Sequence, residues 1–247
     1  MPDYLLFAWR TMMPLFVVLI VAAGESRRLG NKNQLKQYLR IQRHSVLAHT
    51  ITQMVTSFVH SVKVVIGQGQ DAFYEHSLLS LPKKVTDLLI PPVYGGARRQ
   101  DSVRIGLESI EHINPEFVII HDACRPFASL PSADVITYHL RDHAGIVPVL
   151  QPSDTISRVE NSVIIEEIAK DSVRIVQTPQ IYRYKDILRC HKEVYSTDPE
   201  KYFSDESSVM VACGMSVITT EGDYNNFKIT TAEDVTRAEL YMQHMGS

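Results

Sequence analysis

The run Phe16-Val17-Val18-Leu19-Ile20-Val21-Ala22-Ala23-Gly24-Glu25-Ser26-Arg27-Arg28-Leu29-Gly30 decides how the rest of the chain is read. Its apolar part, residues 15–23, is only about nine residues long, against the roughly 20 that span a bilayer. Arg10 before it and Ala22-Ala23 after it imitate a signal-peptide core. The Val and Ile content and the glycine turn that follows instead identify a buried strand, Phe16–Ala22. In open α/β sheets ligands bind beyond the carboxyl ends of strands. The small residues here let backbone N–H groups approach a phosphate closely, and Arg27, Arg28 and the later Lys36 add positive charge. The loop is not a Walker A motif, because five residues separate Gly24 from Gly30 and Asn31-Lys32 follows.

Outward from this strand, short apolar runs alternate with amphipathic stretches. Strands are expected at Val62–Ile66, Leu88–Val93, Phe117–His121, Gly145–Leu150 and Met215–Thr219. Helical spacing joins Val46, Leu47, Ile51, Met54, Val55 and Phe58, then Val103, Leu107 and Ile110, and recurs near Val209–Ala212. This alternation predicts an α/β fold, a Rossmann-like, mostly parallel sheet with helices on both faces. One segment departs from it. Between Gln151 and Asp171, Thr155–Val159 and Ser162–Ile165 flank the turn Glu160-Asn161 and predict a protruding β-hairpin arm. Residues 1–13 fit no pattern and are expected to be a disordered extension, with Met12 or Met13 nearer the natural start.

Composition narrows the function. A chain of 247 residues with 45% hydrophobic residues can fill the core of a large α/β domain. A net charge of −3 provides no basic field for nucleic acid or a membrane surface, so an anionic ligand needs locally placed cations. Cys124, Cys190 and Cys213 are few, odd in number and far apart, which points to a reducing compartment. No HExxH pair or GxSxG elbow is present, so zinc and serine hydrolases lack their parts.

Further motifs occupy strand ends. Gly67-Gln68-Gly69-Gln70-Asp71-Ala72 formally matches GxGxxA, but the acid that should end a second strand is missing, and a plain strand-to-helix turn is the better reading. His121-Asp122-Ala123-Cys124-Arg125-Pro126 places a carboxylate and a guanidinium where they suit Mg2+, ribose and phosphate, or an Asp–Arg pair capping a loop. Gly95-Gly96-Ala97-Arg98-Arg99-Gln100-Asp101-Ser102 enters a helix that Asp101 or Ser102 is placed to cap. Gln177-Thr178-Pro179-Gln180 follows the hairpin. Asn226-Phe227-Lys228-Ile229-Thr230 precedes a last helix, with Thr230 or Thr231 as cap and Lys228 turned to the site.

In their order and spacing these pieces resemble the 2-C-methyl-D-erythritol 4-phosphate cytidylyltransferase family of the non-mevalonate isoprenoid pathway, from about Phe16 to Tyr241. The resemblance implies a single nucleotidyltransferase domain over 14–247, with its arm at about 151–171. It implies transfer of CMP from CTP, with Mg2+, to 2-C-methyl-D-erythritol 4-phosphate in the cytoplasm, giving 4-diphosphocytidyl-2-C-methyl-D-erythritol and pyrophosphate. Ala22, Ala23 and Gly24 would line the nucleotide, and Arg28 and Lys36 would stabilise triphosphate charge in the transition state. Gly96 and Ser102 would recognise cytosine, and Asp122, Ala123 and Arg125 would lie at the ribose and acceptor. Thr155, Thr178, Lys228 and Lys170 would hold the acceptor, in a homodimer whose arm completes the partner's site. Metal ligands are not specified.

The chain departs from the family pattern in several places. Ser26 stands for a common glycine, Leu35 for a proline, and the gap from Arg28 to Lys36 is one residue longer. Lys170 replaces an arginine, which keeps the charge and loses the fork, and Arg174 is the rival for its role. The alternatives are the same chemistry on ribitol 5-phosphate, a non-catalytic nucleotide-binding protein, and, more distantly, a nicotinamide oxidoreductase using Gly67 and Gly69.

Overall fold

The computed structural model describes residues 14–25 and 35–245. The expected extension at 1–13, and Arg28, lie outside the described residues. The strands are β1 (Phe16–Val21), β2 (Arg40–Ile41), β3 (His44–Ser45), β4 (Val59–Ile66), β5 (Leu89–Tyr94), β6 (Phe117–Asp122), β7 (Gly145–Leu150), β8 (Ile156–Glu160), β9 (Val163–Ile168), β10 (Ile175–Val176), β11 (Gln180–Arg183) and β12 (Val217–Glu221). The helices are α1 (Val46–Met54), α2 (Asp71–Leu78), α3 (Lys83–Thr86), α4 (Arg99–Ser109), α5 (Ala133–His139), α6 (Tyr184–Thr197), α7 (Glu206–Ala212) and α8 (Ala232–Met245).

The central sheet runs β10-β7-β11-β6-β1-β4-β5, with β12 added to β7. The pairs β1–β4, β1–β6, β4–β5 and β7–β12 are parallel. The expected mostly parallel α/β sheet is therefore present, and β1 lies inside it. That position explains its composition. Phe16, Val18 and Ile20 pack on one face with Leu47, Ile51 and Met54 of α1, while Val17 and Leu19 pack on the other with Val103 and Leu107 of α4. A strand buried on both faces reads as a continuous apolar run, because both sets of alternating side chains need cover.

Two antiparallel insertions were not legible as strands. β11 runs antiparallel between β6 and β7, and β10 continues along β7. The register against β7 shifts by two residues between Ile175↔Leu150 and Ile181↔Ile146, and Gln177 N still donates to Pro148 O at 2.9 Å, so Thr178-Pro179 bulges out of the ladder. Its polar and proline residues hide a strand from any alternation test.

The hairpin forms as a separate β8–β9 pair, with its turn one residue later than expected. Asn161 and Ser162 carry φ of 48° and 65°, the left-handed pair that a two-residue turn needs to match strand twist. No helix among the described residues is long and apolar enough to cross a membrane.

Candidate active site

The carboxyl ends of β1 and β6 open into a cleft of about 390 Å³, bounded by the loop after β1, the glycine turn before α4, and the segment leading to α8. Ala22–Gly24, just after β1, are tied down by Gln37, which is 1% exposed. Its amide donates to Ala22 O at 2.7 Å and Gly24 O at 3.0 Å, so the Lys36–Tyr38 turn holds Ala22–Gly24 from below. Opposite, the Gly95-Gly96 turn lies tight against this loop. A Cβ on Gly95 would sit 2.5 Å from Ala23 Cβ and 2.6 Å from Ser102 Oγ, so only glycine permits the approach.

α4 begins differently from the sequence expectation. Its N-cap is Arg98, and Asp101 occupies the third helical position, where its carboxylate accepts from Arg98 N at 3.2 Å. Ser102, 2% exposed, lies inside the helix and its hydroxyl donates to Arg98 O at 3.1 Å. Neither Asp101 nor Ser102 is the cap, because the extended backbone ends one turn earlier, at Arg98. Thr231 does serve α8, accepting from Asp234 N at 3.3 Å, while the Asp234 carboxylate accepts from Thr230 N and Thr231 N.

The charge centre of the cleft is Asp122, at the end of β6. Oδ1 accepts from Arg99 Nε at 3.0 Å, and Oδ2 accepts from Lys228 Nζ at 2.8 Å with Arg125 Nε 3.6 Å away. Burial alone would push this carboxyl up, but Arg99, Lys228 and Arg125 outweigh it and hold it well below the usual range. Arg99 also donates through Nη1 to both oxygens of Glu206, at 2.8 and 2.9 Å. Three cations and two carboxylates thus leave a net positive array beside the phosphate-ready loop.

Asp122 is supported from behind. Thr178 Oγ1 accepts from Asp122 N at 3.1 Å and bonds His121 Nδ1 at 2.9 Å. The other ring nitrogen of His121 meets Arg125 O at 2.9 Å, and burial drives this imidazole down to about 4, so it is neutral near pH 7. Asn226 anchors the Lys228 segment, donating to Thr178 O while its own backbone carbonyl accepts from Arg125 Nη1, both at 2.8 Å.

Of the residues expected at the site, Ala22, Ala23, Gly24, Lys36, Gly96, Ser102, Asp122, Ala123 and Lys228 come together around this cleft. Arg125 stands beside it through Asp122, and Thr178 lies buried beneath it with its hydroxyl engaged by His121 and Asp122. Thr155 and Lys170 are elsewhere, at the root of the arm, where Lys170 Nζ donates to Ser153 O at 2.7 Å. Its rival Arg174 donates to backbone carbonyls of residues 170, 171 and 173 and borders a separate cleft near Tyr224. Gly67–Gln70 forms a turn between β4 and α2, with Gly67 N donating to Gln70 Oε1, outside the cleft.

Sequence reasoning missed Gln37, Arg99 and Glu206 as parts of the site. Arg99 carried a readable signal. A guanidinium in a helix's first turn faces the positive end of the macrodipole and calls for carboxylate partners.

A dedicated metal cage does not fit these residues. No group of three His, Cys, Asp or Glu side chains among the described residues is placed to hold an ion, and both oxygens of Asp122 are engaged by cations.

Comparison with known proteins places the chain in a family. The family model for IspD, 2-C-methyl-D-erythritol 4-phosphate cytidylyltransferase, matches residues 16–244. The chain belongs to that family. It is 41% identical over 229 residues to the bifunctional enzyme IspD/IspF of Wolbachia pipientis wMel, covering 91% of this chain and 55% of that protein. It is 34% identical over 231 residues to the bifunctional enzyme IspD/IspF of Paramagnetospirillum magneticum, covering 93% of this chain and 57% of that protein. The chain therefore spans about half the length of these curated relatives. Among solved structures, 2-C-methyl-D-erythritol 4-phosphate cytidylyltransferase from Thermus thermophilus superposes with a TM-score of 0.70 at 26% identity, covering 94% of this chain and all of that one. The fold also matches 4-diphosphocytidyl-2C-methyl-D-erythritol synthase from Anaerococcus prevotii, with a TM-score of 0.75 at 24% identity, covering 93% and 96% of the two chains.

Proposed function

We propose that this chain transfers CMP from CTP to 2-C-methyl-D-erythritol 4-phosphate, giving 4-diphosphocytidyl-2-C-methyl-D-erythritol and pyrophosphate. The observation that carries the reading is the cationic array around Asp122, set against the small-residue loop after β1, in a chain of this family.

An oxygen of the acceptor's phosphate attacks the α-phosphorus of CTP. A new P–O bond forms there as the bond to the bridging oxygen of the β-phosphate breaks, and the electron pair leaves with pyrophosphate. A phosphate monoester with a second pKa near about 6 is largely ionised at neutral pH, so no base is required. The neutral, fully engaged His121 fits that economy. The difficulty is bringing two anions together, which preplaced cations relieve. In this reading Arg28 and Lys36 act on the triphosphate, Ala22–Gly24, Gly96 and Ser102 hold the nucleoside, Asp122 and Ala123 meet the ribose, and Lys228 and Arg125 draw in the acceptor phosphate. A magnesium ion would travel as the triphosphate's counter-ion and would supply charge neutralisation.

The arm supports a homodimer. Val159, Val163, Ile164 and Ile165 are exposed on it, and a second copy would both cover them and receive Thr155 and Lys170 at its own acceptor site. Free Cys124, Cys190 and Cys213 suit a reducing cytoplasm. The test is incubation with CTP, Mg2+ and methylerythritol phosphate, in parallel with ribitol 5-phosphate, reading pyrophosphate release and product mass. Turnover confined to ribitol 5-phosphate, or absent with both, overturns the reading.

A further inference from the structure

Glu206 is not among the described residues that line the cleft, yet it is 1% exposed and commits both carboxylate oxygens to one nitrogen of the cleft-lining Arg99. It opens α7, where a carboxylate is favoured by the helix dipole, and Asp205 caps the same helix by accepting from Ser208 N at 3.0 Å. Arg99 opens α4, where its own charge is disfavoured by the dipole there. The guanidinium is thus held at two points, Nη1 on Glu206 and Nε on Asp122 Oδ1. That leaves Asp122 Oδ2 for Lys228.

We infer that Glu206 is a positioning residue for Lys228, acting through Arg99 and Asp122. The inference rests on the proposed reading of the cleft, in which Lys228 meets the acceptor phosphate. Without the Glu206 charge, a planar guanidinium is free to turn and take both Asp122 oxygens as a fork, the geometry arginine favours with carboxylates. Lys228 would then lose its partner and its fixed place. Glu206 is itself a buried carboxyl, pushed up by desolvation and pulled back by Arg99, so its ionised form depends on the same contact.

The decisive experiment is a double-mutant cycle with Glu206→Gln and Lys228→Ala, reading steady-state pyrophosphate release. Glu206→Gln should lower kcat/KM for the acceptor by roughly tenfold or more while leaving KM for CTP within about twofold, as expected when a reacting group is misplaced. In the Lys228→Ala background the same substitution should change activity by less than about twofold, because there is no longer an ammonium to position. Should Glu206→Gln fail to fold, Arg99→Lys, which keeps the charge but cannot bridge both carboxylates in one plane, takes its place in the cycle. Multiplicative losses in the double variant, or equal losses for CTP and acceptor, assign Glu206 to packing alone and overturn the inference. An inactive wild type overturns the underlying reading instead, which separates the two failures.

Discussion

Lowering the pH from 7 to 5 should destabilise this protein through two buried imidazoles. His121 and His191 are 0% and 2% exposed, and burial depresses them from 6.5 to about 4 and about 3. Nearby Arg99 and Arg104 push His191 further in the same direction. With folded pKa values below the unfolded one, the unfolded chain binds protons first as pH falls. Stability is therefore complete above about 6.5 and lost progressively towards the folded values. From pH 7 to pH 5 each histidine costs about 2 kcal/mol, roughly 4 for the pair. For a chain of this length that corresponds to roughly 10 °C in Tm. Glu206 works in the opposite sense, since its raised carboxyl favours proton uptake by the folded state. A variant isolates one imidazole from such terms. His191 Nε2 is buried without a hydrogen-bond partner, so His191→Leu should fold and reduce the pH dependence by about 2 kcal/mol. Urea unfolding followed by circular dichroism at pH 5, 6 and 7 measures both effects. Identical pH dependence in wild type and His191→Leu would refute the reasoning.

Lys36→Ala should reduce kcat by about two to three powers of ten, the cost of one transition-state donor, with an unchanged melting curve. Near wild-type turnover would remove Lys36 from the reaction. Gly106→Ala should destabilise by about 1–3 kcal/mol in the same urea assay, because the added Cβ meets Leu19 Cδ1 at 2.6 Å and Val65 Cγ2 at 2.8 Å between α4 and the sheet. Unaltered stability would mean that the helix shifts freely. Ile164→Asp places a charge on the most exposed apolar side chain of the arm and should convert a dimer to monomer by light scattering at micromolar concentration. A dimer that survives it would move the interface off the arm.

What the chain alone determined was local and periodic. The unbroken apolar run at 16–22 specified an interior strand, because burial on both faces leaves no polar position. Spacing at Val46–Met54 and Val103–Ile110 specified the helices covering it, and the order of loop motifs carried the family. The β11 reversal escaped, since Gln177-Thr178-Pro179-Gln180 shows neither period. The tertiary structure decided which charges meet. Arg99 finds Glu206 across 107 positions and Lys228 finds Asp122 across 106, while Thr178 and Lys170, similar as candidates, end beneath the cleft and at the root of the arm. Periodicity records which face a residue occupies within its own element. The partner of a buried charge is chosen only when strands and helices converge and desolvation makes every unpaired ion costly.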